Sequence, residues 1–175
     1  MQGMKVIYSG PVEISYGQLY AISPGCMPVL LESALAGQQN GLCGAAVAGG
    51  LMLMCGLHSG TVQLEVLAFA AEPPLEASWP EVVEAPFAFQ SSPVVLQDWD
   101  GRDICTLPID GPGYMVRWHA RNFGEAEDAG RVDDIEPYEE YALHVWPAAR
   151  PVERVVRQTD EKAGYWHRYA QSMRA

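Results

Sequence analysis

The sequence predicts a mainly β protein, an antiparallel two-layer β-sandwich of eight to ten strands with one C-terminal helix. Short runs rich in valine, leucine and aromatic residues recur along the chain, separated by turns of glycine, proline or asparagine. Several of these runs alternate apolar and polar residues with the period of two that indicates a half-buried strand. A helical period stands out near the C-terminal end, over residues 160–173.

The length and composition favour a single globular domain over residues 1–175. Hydrophobic residues make up 49% of the chain and charged residues 19%, which excludes an intrinsically disordered protein. The four cysteines form no Cys-x-x-Cys pattern, so we expect reduced thiols rather than disulfides or a zinc site. The first twenty-five residues have no continuous apolar segment, and the uncharged stretch 42–57 is shorter than the about twenty residues that span a membrane. A cytoplasmic location without membrane association is therefore expected.

The first strands are predicted from alternation and from the breakers that bound them. Residues 5–8 and 12–22 indicate an opening strand pair or one bent strand. Gly17 interrupts this alternation, and a glycine inside a strand often marks a bulge. Residues 29–35 fit either a strand or a short helix. Glycine turns divide residues 42–70 into further strand segments.

The best-defined architecture is a three-stranded antiparallel meander over residues 93–121. An Asp-Gly pair at 100–101 separates residues 94–99 from 102–109, and it supplies the positive φ angles of a two-residue hairpin turn. In residues 114–121, apolar side chains alternate with mainly polar ones. We therefore expect one face of this strand in the core and the other in water.

Beyond the meander, residues 122–137 are polar and acidic without an apolar period, which predicts a loop. Residues 138–146 indicate a further strand. The helix predicted over 160–173 has Asp160 as its N-cap and an apolar face that we expect to dock on the sheet. That face comprises Ala163, Trp166, Tyr169 and Ala170.

The net charge of −11 is unevenly distributed. Residues 1–149 carry five basic and nineteen acidic side chains, or −14, whereas residues 150–175 carry six basic and three acidic ones, or +3. An acidic body repels nucleic acid and anionic lipid and attracts basic proteins or cationic ligands. The pattern predicts a basic protein partner and no direct contact with nucleic acid; the alternative is that the charge only keeps the protein soluble.

Two acidic elements are the candidate partner-binding residues. At the predicted hairpin tip, Trp99 and Arg102 are residue types that dominate protein interfaces. The alternative is that the Trp99 ring packs over the sheet. The carboxylates around them do not follow the spacing of a calcium loop, so turn formation explains them better. The complete candidate set is Asp98, Trp99, Asp100, Arg102, Asp103, Glu125, Glu127, Asp128, Asp133 and Asp134.

His119 and His144 define an alternative function. They lie in predicted strands on either side of the acidic loop, where they could face each other and, with a loop carboxylate, form a metal site or an acid–base pair. This would make the protein a small-molecule-binding or hydrolytic β-sandwich. Histidines on polar strand faces are more often simply solvated. No nucleophile, base and orienting group can be assembled from the sequence, so we assign no catalytic residue, cofactor or metal and expect a non-catalytic protein.

Three segments resemble the bacterial competence protein J family. They are Ile-Ser-Tyr-Gly-Gln-Leu-Tyr at 14–20, a hairpin before Leu-Pro-Ile at 107–109, and Gly-Tyr-Met-Val-Arg-Trp at 113–118. The similarity covers under a third of the chain, and no functional residue is carried over from it. The resemblance implies a β-sandwich protein that binds and inhibits a DNA-entry nuclease. An acidic immunity protein or nuclease inhibitor agrees with the charge, because carboxylates can mimic a phosphate backbone in a basic cleft.

Overall fold

One sheet runs through the part of the chain that the computed structural model describes, residues 3–110, 113–125 and 138–173. The strands are β1 (Met4–Ser15), β2 (Gln18–Ile22), β3 (Cys43–Gly44), β4 (Gly50–Met54), β5 (Ser59–Phe69), β6 (Glu81–Phe87), β7 (Val94–Gln97), β8 (Asp103–Leu107), β9 (Tyr114–Arg121), β10 (Glu140–Pro147) and β11 (Arg154–Arg157). The described helices are α1 (Leu31–Leu35) and α2 (Glu161–Ser172). The mainly β class and the C-terminal helix are therefore confirmed.

The strands lie in the order β11-β6-β9-β10-β5-β1-β2-β4-β3, and β7 pairs with both β2 and β8. β10 runs parallel to β5, with Tyr141 opposite Leu64, whereas the other described ladders are antiparallel. The prediction of an antiparallel two-layer sandwich of eight to ten strands is wrong in the number of strands and in their arrangement. The eleven described strands form one mixed, curled sheet. Side-chain periodicity shows which face of a strand is buried, but it does not show which strand lies alongside.

The main core lies on one face of the sheet. Trp118 of β9 and Tyr141 of β10 stack there with ring centroids 5.0 Å apart. The Trp118 indole N–H donates to the carbonyl oxygen of Met54 at 2.9 Å, which ties β9 to β4 across the core. Both faces of β4 are buried, in agreement with its continuously apolar sequence.

The opposite face of β9 is also buried, which contradicts the prediction that it faces water. Arg117 and His119 lie on this face and are 0% and 1% exposed. Arg117 donates to the carbonyl oxygens of Pro73 and Pro74 at 3.0 and 3.3 Å, and the Trp79 ring lies 5.3 Å from that of His119. The segment that covers this face of β9 is thus distant from β9 in the sequence. The alternation of residues within β9 therefore cannot predict that the face is buried.

Both turns that carry the candidate surface differ from the prediction. The β7–β8 connection has five residues rather than two, because the Asp98 N–H donates to the Arg102 carbonyl at 3.0 Å and closes a wider loop. The predicted bulge at Gly17 is a hairpin turn between β1 and β2. Tyr16 and Gly17 have φ angles of 56° and 65°, and such a two-residue turn requires positive values at both positions.

α2 is capped and docked by contacts with the β-rich part of the chain. Asp160 is the N-cap as predicted, and its carboxylate accepts from the Lys162 N–H at 2.7 Å. The buried face consists of Ala163, Gly164, His167 and Ala170, so the predicted docking by Trp166 and Tyr169 is only partial. The Gly41 N–H donates to His167 Nδ1 at 3.0 Å. Neither described helix is long and apolar enough to cross a membrane.

Candidate protein-binding surface

At the hairpin tip, one of the predicted acidic residues stabilises the loop and the others face solvent. Asp98 is buried, and its carboxylate accepts from the Arg102 N–H at 2.9 Å, which closes the turn. Asp103 is exposed and accepts from the Gln97 side chain at 2.7 Å. Asp100 and Arg102 are exposed as well. The tip therefore presents two carboxylates and one guanidinium to solvent.

Trp99 is exposed, as an interface residue would be, and it belongs to a group that the sequence did not reveal. Its ring centroid lies 4.4 Å from that of Tyr16, and the Tyr16 ring lies 5.2 Å from His58 in an edge-on arrangement. Trp99 and Tyr16 are 42% and 55% exposed. We call Tyr16, His58 and Trp99 the aromatic tip. Its three residues come from the β1–β2, β4–β5 and β7–β8 connections, respectively, and bring these connections into contact.

Tyr16 adopts a strained backbone conformation. A tyrosine with φ near +56° occupies the left-handed region, which costs on the order of 1 kcal/mol for a residue with a side chain of this size. Asparagine or glycine would occupy that turn position with less strain. The available signal in the sequence was Tyr-Gly in a position where Asn-Gly would mark a hairpin, but period-two alternation placed Tyr16 within a strand.

A groove of about 400 Å³ lies beside the aromatic tip. Its walls include Trp99, the apolar side chains of Val29 and Leu30, and the carboxylate-bearing Glu32 of α1. Tyr20 of β2 also lines the groove, and its hydroxyl donates to the Gln18 side chain. Leu30 is largely exposed. The groove thus combines aromatic and apolar walls with the Gln18 amide and the Glu32 carboxylate.

The acidic loop begins close to the aromatic tip. Gly124 and Gly56 approach so closely that a side chain on Gly56 would collide with the Gly124 backbone, and His58 follows two residues later. Buried Glu139 holds both connections, because its carboxylate accepts from the Gly124 N–H at 2.8 Å and from the Leu57 N–H at 2.9 Å. Burial raises the pKa of Glu139. The fold therefore directs the hairpin tip and the start of the loop towards one end of the sheet.

Of the loop carboxylates, Glu125 is exposed and accepts from the Tyr138 hydroxyl at 3.4 Å. The remaining candidates, Glu127, Asp128, Asp133 and Asp134, lie outside the described residues.

The described part of the candidate surface carries more acidic than basic side chains. Asp100, Asp103 and Glu125 are exposed there, together with Arg102. The arginines of β9 and β11 are paired internally. Arg117 and Arg154 both bind Glu84 at 2.7 Å, and Arg121 binds Glu140 at 2.5 Å.

His119 and His144 face each other, as the alternative function required, but they are not solvated. Their ring centroids are 4.3 Å apart and each residue is 1% exposed. Burial lowers the pKa of His119 to about 4 and that of His144 to about 3, so both are neutral at pH 7. His119 Nδ1 lies 3.1 Å from the Ala142 carbonyl, whereas His119 Nε2 and His144 Nδ1 have no hydrogen-bond partner in the described part of the chain.

A mainly apolar cavity of about 340 Å³ is lined by Leu67, Phe69, Pro73 and Pro74 among others. Phe69 separates it from His144, with ring centroids 5.0 Å apart. Neither imidazole is among its walls. Within the described ranges, no group of three or more histidine, cysteine or acidic side chains is placed to hold a metal ion. The geometry around this pair is that of a packed interior.

The four cysteines are free, as predicted. Cys43 and Cys55 are buried, and burial raises the pKa of both thiols. A buried thiol with a raised pKa is a poor nucleophile at neutral pH.

Comparison with known proteins shows a likeness of fold. No protein-family model matches the chain, and no curated protein matches it. The crystal structure of ComJ from Bacillus subtilis, described as an inhibitor of the DNA-degrading activity of NucA, is similar with a TM-score of 0.57 and 12% identity, over 83% of this chain and 98% of ComJ. The structure of the crocagin biosynthetic gene J product is similar with a TM-score of 0.54 and 12% identity, over 85% of this chain and 100% of that one. The resemblance to the competence protein J family is confirmed as a weak likeness in fold.

Proposed function

We propose that this chain is a non-catalytic protein that binds and inhibits a basic, DNA-degrading nuclease. The observation that carries the proposal is the likeness in fold to ComJ, which extends over 98% of that inhibitor. The charge distribution supports it independently, because a protein of net charge −11 attracts a basic partner and repels the DNA with which it would compete.

The mode of inhibition that we propose is occupation of the nuclease's DNA-binding cleft. Carboxylates of the hairpin tip, Asp100 and Asp103, and of the acidic loop, beginning with Glu125, would stand in for DNA phosphates. Their placement supports this, since the two elements flank residues 56–58 at one end of the sheet. The aromatic tip between them would supply the apolar contact that fixes the orientation of the complex.

The proposal is tested by affinity capture followed by a nuclease assay. The chain is immobilised, incubated with a lysate of its native host at low salt, and eluted with a salt gradient. We expect the eluate to degrade plasmid DNA and the activity to disappear when free chain is added back, because electrostatic association weakens as salt screens the charges. An eluate without DNA-degrading activity, or with activity that free chain does not suppress, would contradict the proposal.

A further inference from the structure

The groove beside the aromatic tip has aromatic, apolar and carboxylate walls, and the Gln18 amide also lines it. Trp99 supplies an exposed aromatic ring, Val29 and Leu30 supply apolar surface, and Glu32 supplies a carboxylate. An anionic ligand does not fit this set, because the groove offers it a carboxylate and has no lysine or arginine among its described walls. A purely apolar ligand would form no hydrogen bond to Glu32 or Gln18.

An arginine side chain matches the aromatic, apolar and carboxylate walls. Its planar guanidinium stacks on an indole ring, its apolar stem lies along aliphatic side chains, and its N–H groups form a two-point hydrogen bond to a carboxylate. Lysine would provide the charge but not the planar, two-point geometry. Aromatic and carboxylate groups therefore select for a guanidinium in this position.

The turn next to the groove is built to hold Trp99 in place. Tyr16 contacts the Trp99 ring from a left-handed backbone position that a tyrosine rarely adopts, and both rings remain exposed. Backbone strain at an exposed turn is an observation from which a functional role can be argued. Here the strained residue supports one wall of the groove.

We infer that the groove between Trp99 and residues 28–32 receives an arginine side chain from the partner protein, stacked on Trp99 and paired with Glu32. The inference deepens the proposed function, on which the identity of the partner as a nuclease rests. It adds the place at which that partner is held and the residue type that is held there.

The chemistry of the groove is tested without any nuclease. The ¹⁵N-labelled chain is titrated with the peptide acetyl-Gly-Arg-Gly-amide, and with the same peptide carrying citrulline, which keeps the shape of arginine but has no charge. We expect saturable shifts of the Trp99 indole and of the Glu32 amide with the arginine peptide, and at least tenfold weaker binding with citrulline. No saturable shift, equal binding of the two peptides, or shifts elsewhere on the chain would overturn the inference.

Single substitutions test whether Trp99 and Glu32 are the residues that bind the arginine peptide. Trp99→Ala and Glu32→Gln are each expected to weaken peptide binding at least tenfold. Tyr165→Ala and Glu161→Gln remove an exposed aromatic ring and an exposed carboxylate on α2, and they are expected to change binding less than twofold. Unchanged backbone spectra away from the groove would show that the variants remain folded.

The same variants separate this inference from the proposed function. With the captured nuclease, Trp99→Ala is expected to raise the inhibition constant at least tenfold, whereas Tyr165→Ala leaves it unchanged. Equal inhibition by Trp99→Ala and the wild-type chain would overturn the groove inference and leave nuclease inhibition standing. Arginine-selective peptide binding by a chain that inhibits no nuclease would support the groove and refute the proposed function.

Discussion

Acidification from pH 7 to pH 5 should destabilise the fold through the buried imidazoles of His119 and His144. Burial is the main cause that lowers their pKa values, to about 4 and about 3, and Arg117 acts in the same direction on both. In the unfolded chain each imidazole has a pKa of about 6.5 and takes up a proton first. The unfolded state therefore binds more protons below pH 6.5, so stability is lost as the pH falls from there towards the folded pKa values.

The size of the effect follows from these values. Between pH 7 and pH 5, each such imidazole lowers the free energy of unfolding by about 2 kcal/mol, and the pair lowers it by about 4 kcal/mol. His167, whose pKa burial lowers to about 4, adds to the loss. Glu139 opposes it, because burial raises the pKa of its carboxyl and protonation then favours the folded state. A loss of this size is a large part of the stability of a small protein, about 5–15 kcal/mol.

The assay is urea denaturation at half-unit steps from pH 5 to pH 7.5, with the wild-type chain and His144→Leu. The variant removes one imidazole, so the slope of the unfolding free energy between pH 5 and pH 6 should fall by about 1 kcal/mol per pH unit. Val152→Ala serves as the control, because it shortens an exposed side chain that takes up no proton and should leave the slope unchanged. An identical slope in His144→Leu and the wild type would contradict the prediction that the His144 imidazole takes up a proton when the chain unfolds.

Three further predictions test other parts of the structure. Arg117→Ala should lower the unfolding free energy in urea by about 3–5 kcal/mol, since it breaks a buried ion pair, whereas Arg168→Ala breaks an exposed pair and should cost less than about 1 kcal/mol; equal costs would contradict this. Gly41→Ala places a side chain against the Trp166 carbonyl, so hydrogen exchange should show α2 amides losing protection, and retained protection would contradict that contact. Tyr16→Asn should leave the unfolding free energy within about 1 kcal/mol, because relief of backbone strain offsets the lost ring contact. The same variant should weaken nuclease inhibition, and a variant that inhibits as well as wild type would contradict the role of the aromatic tip.

Features encoded by neighbouring residues were predictable from the sequence. The C-terminal helix was found because its N-cap, Asp160, and its helical period lie within one short segment. Most strands were found for the same reason.

Features that depend on distant segments were not predictable. The polar residues of β9 were expected in water, but residues 72–80 cover them, and nothing near Arg117 or His119 in the sequence indicates that cover. The parallel pairing of β5 with β10 joins strands far apart in the chain. Tyr16 and Glu32 enter the candidate surface only because two connections meet the β7–β8 loop in space.

The central claim, that this chain inhibits a DNA-degrading nuclease by binding it, is tested most directly by a stoichiometric titration. The captured nuclease is mixed with increasing amounts of the chain at low salt, and the rate of plasmid degradation is measured at each ratio. We expect the rate to fall linearly to zero as the ratio approaches equimolar. A rate that stays unchanged at a large molar excess of the chain would contradict it.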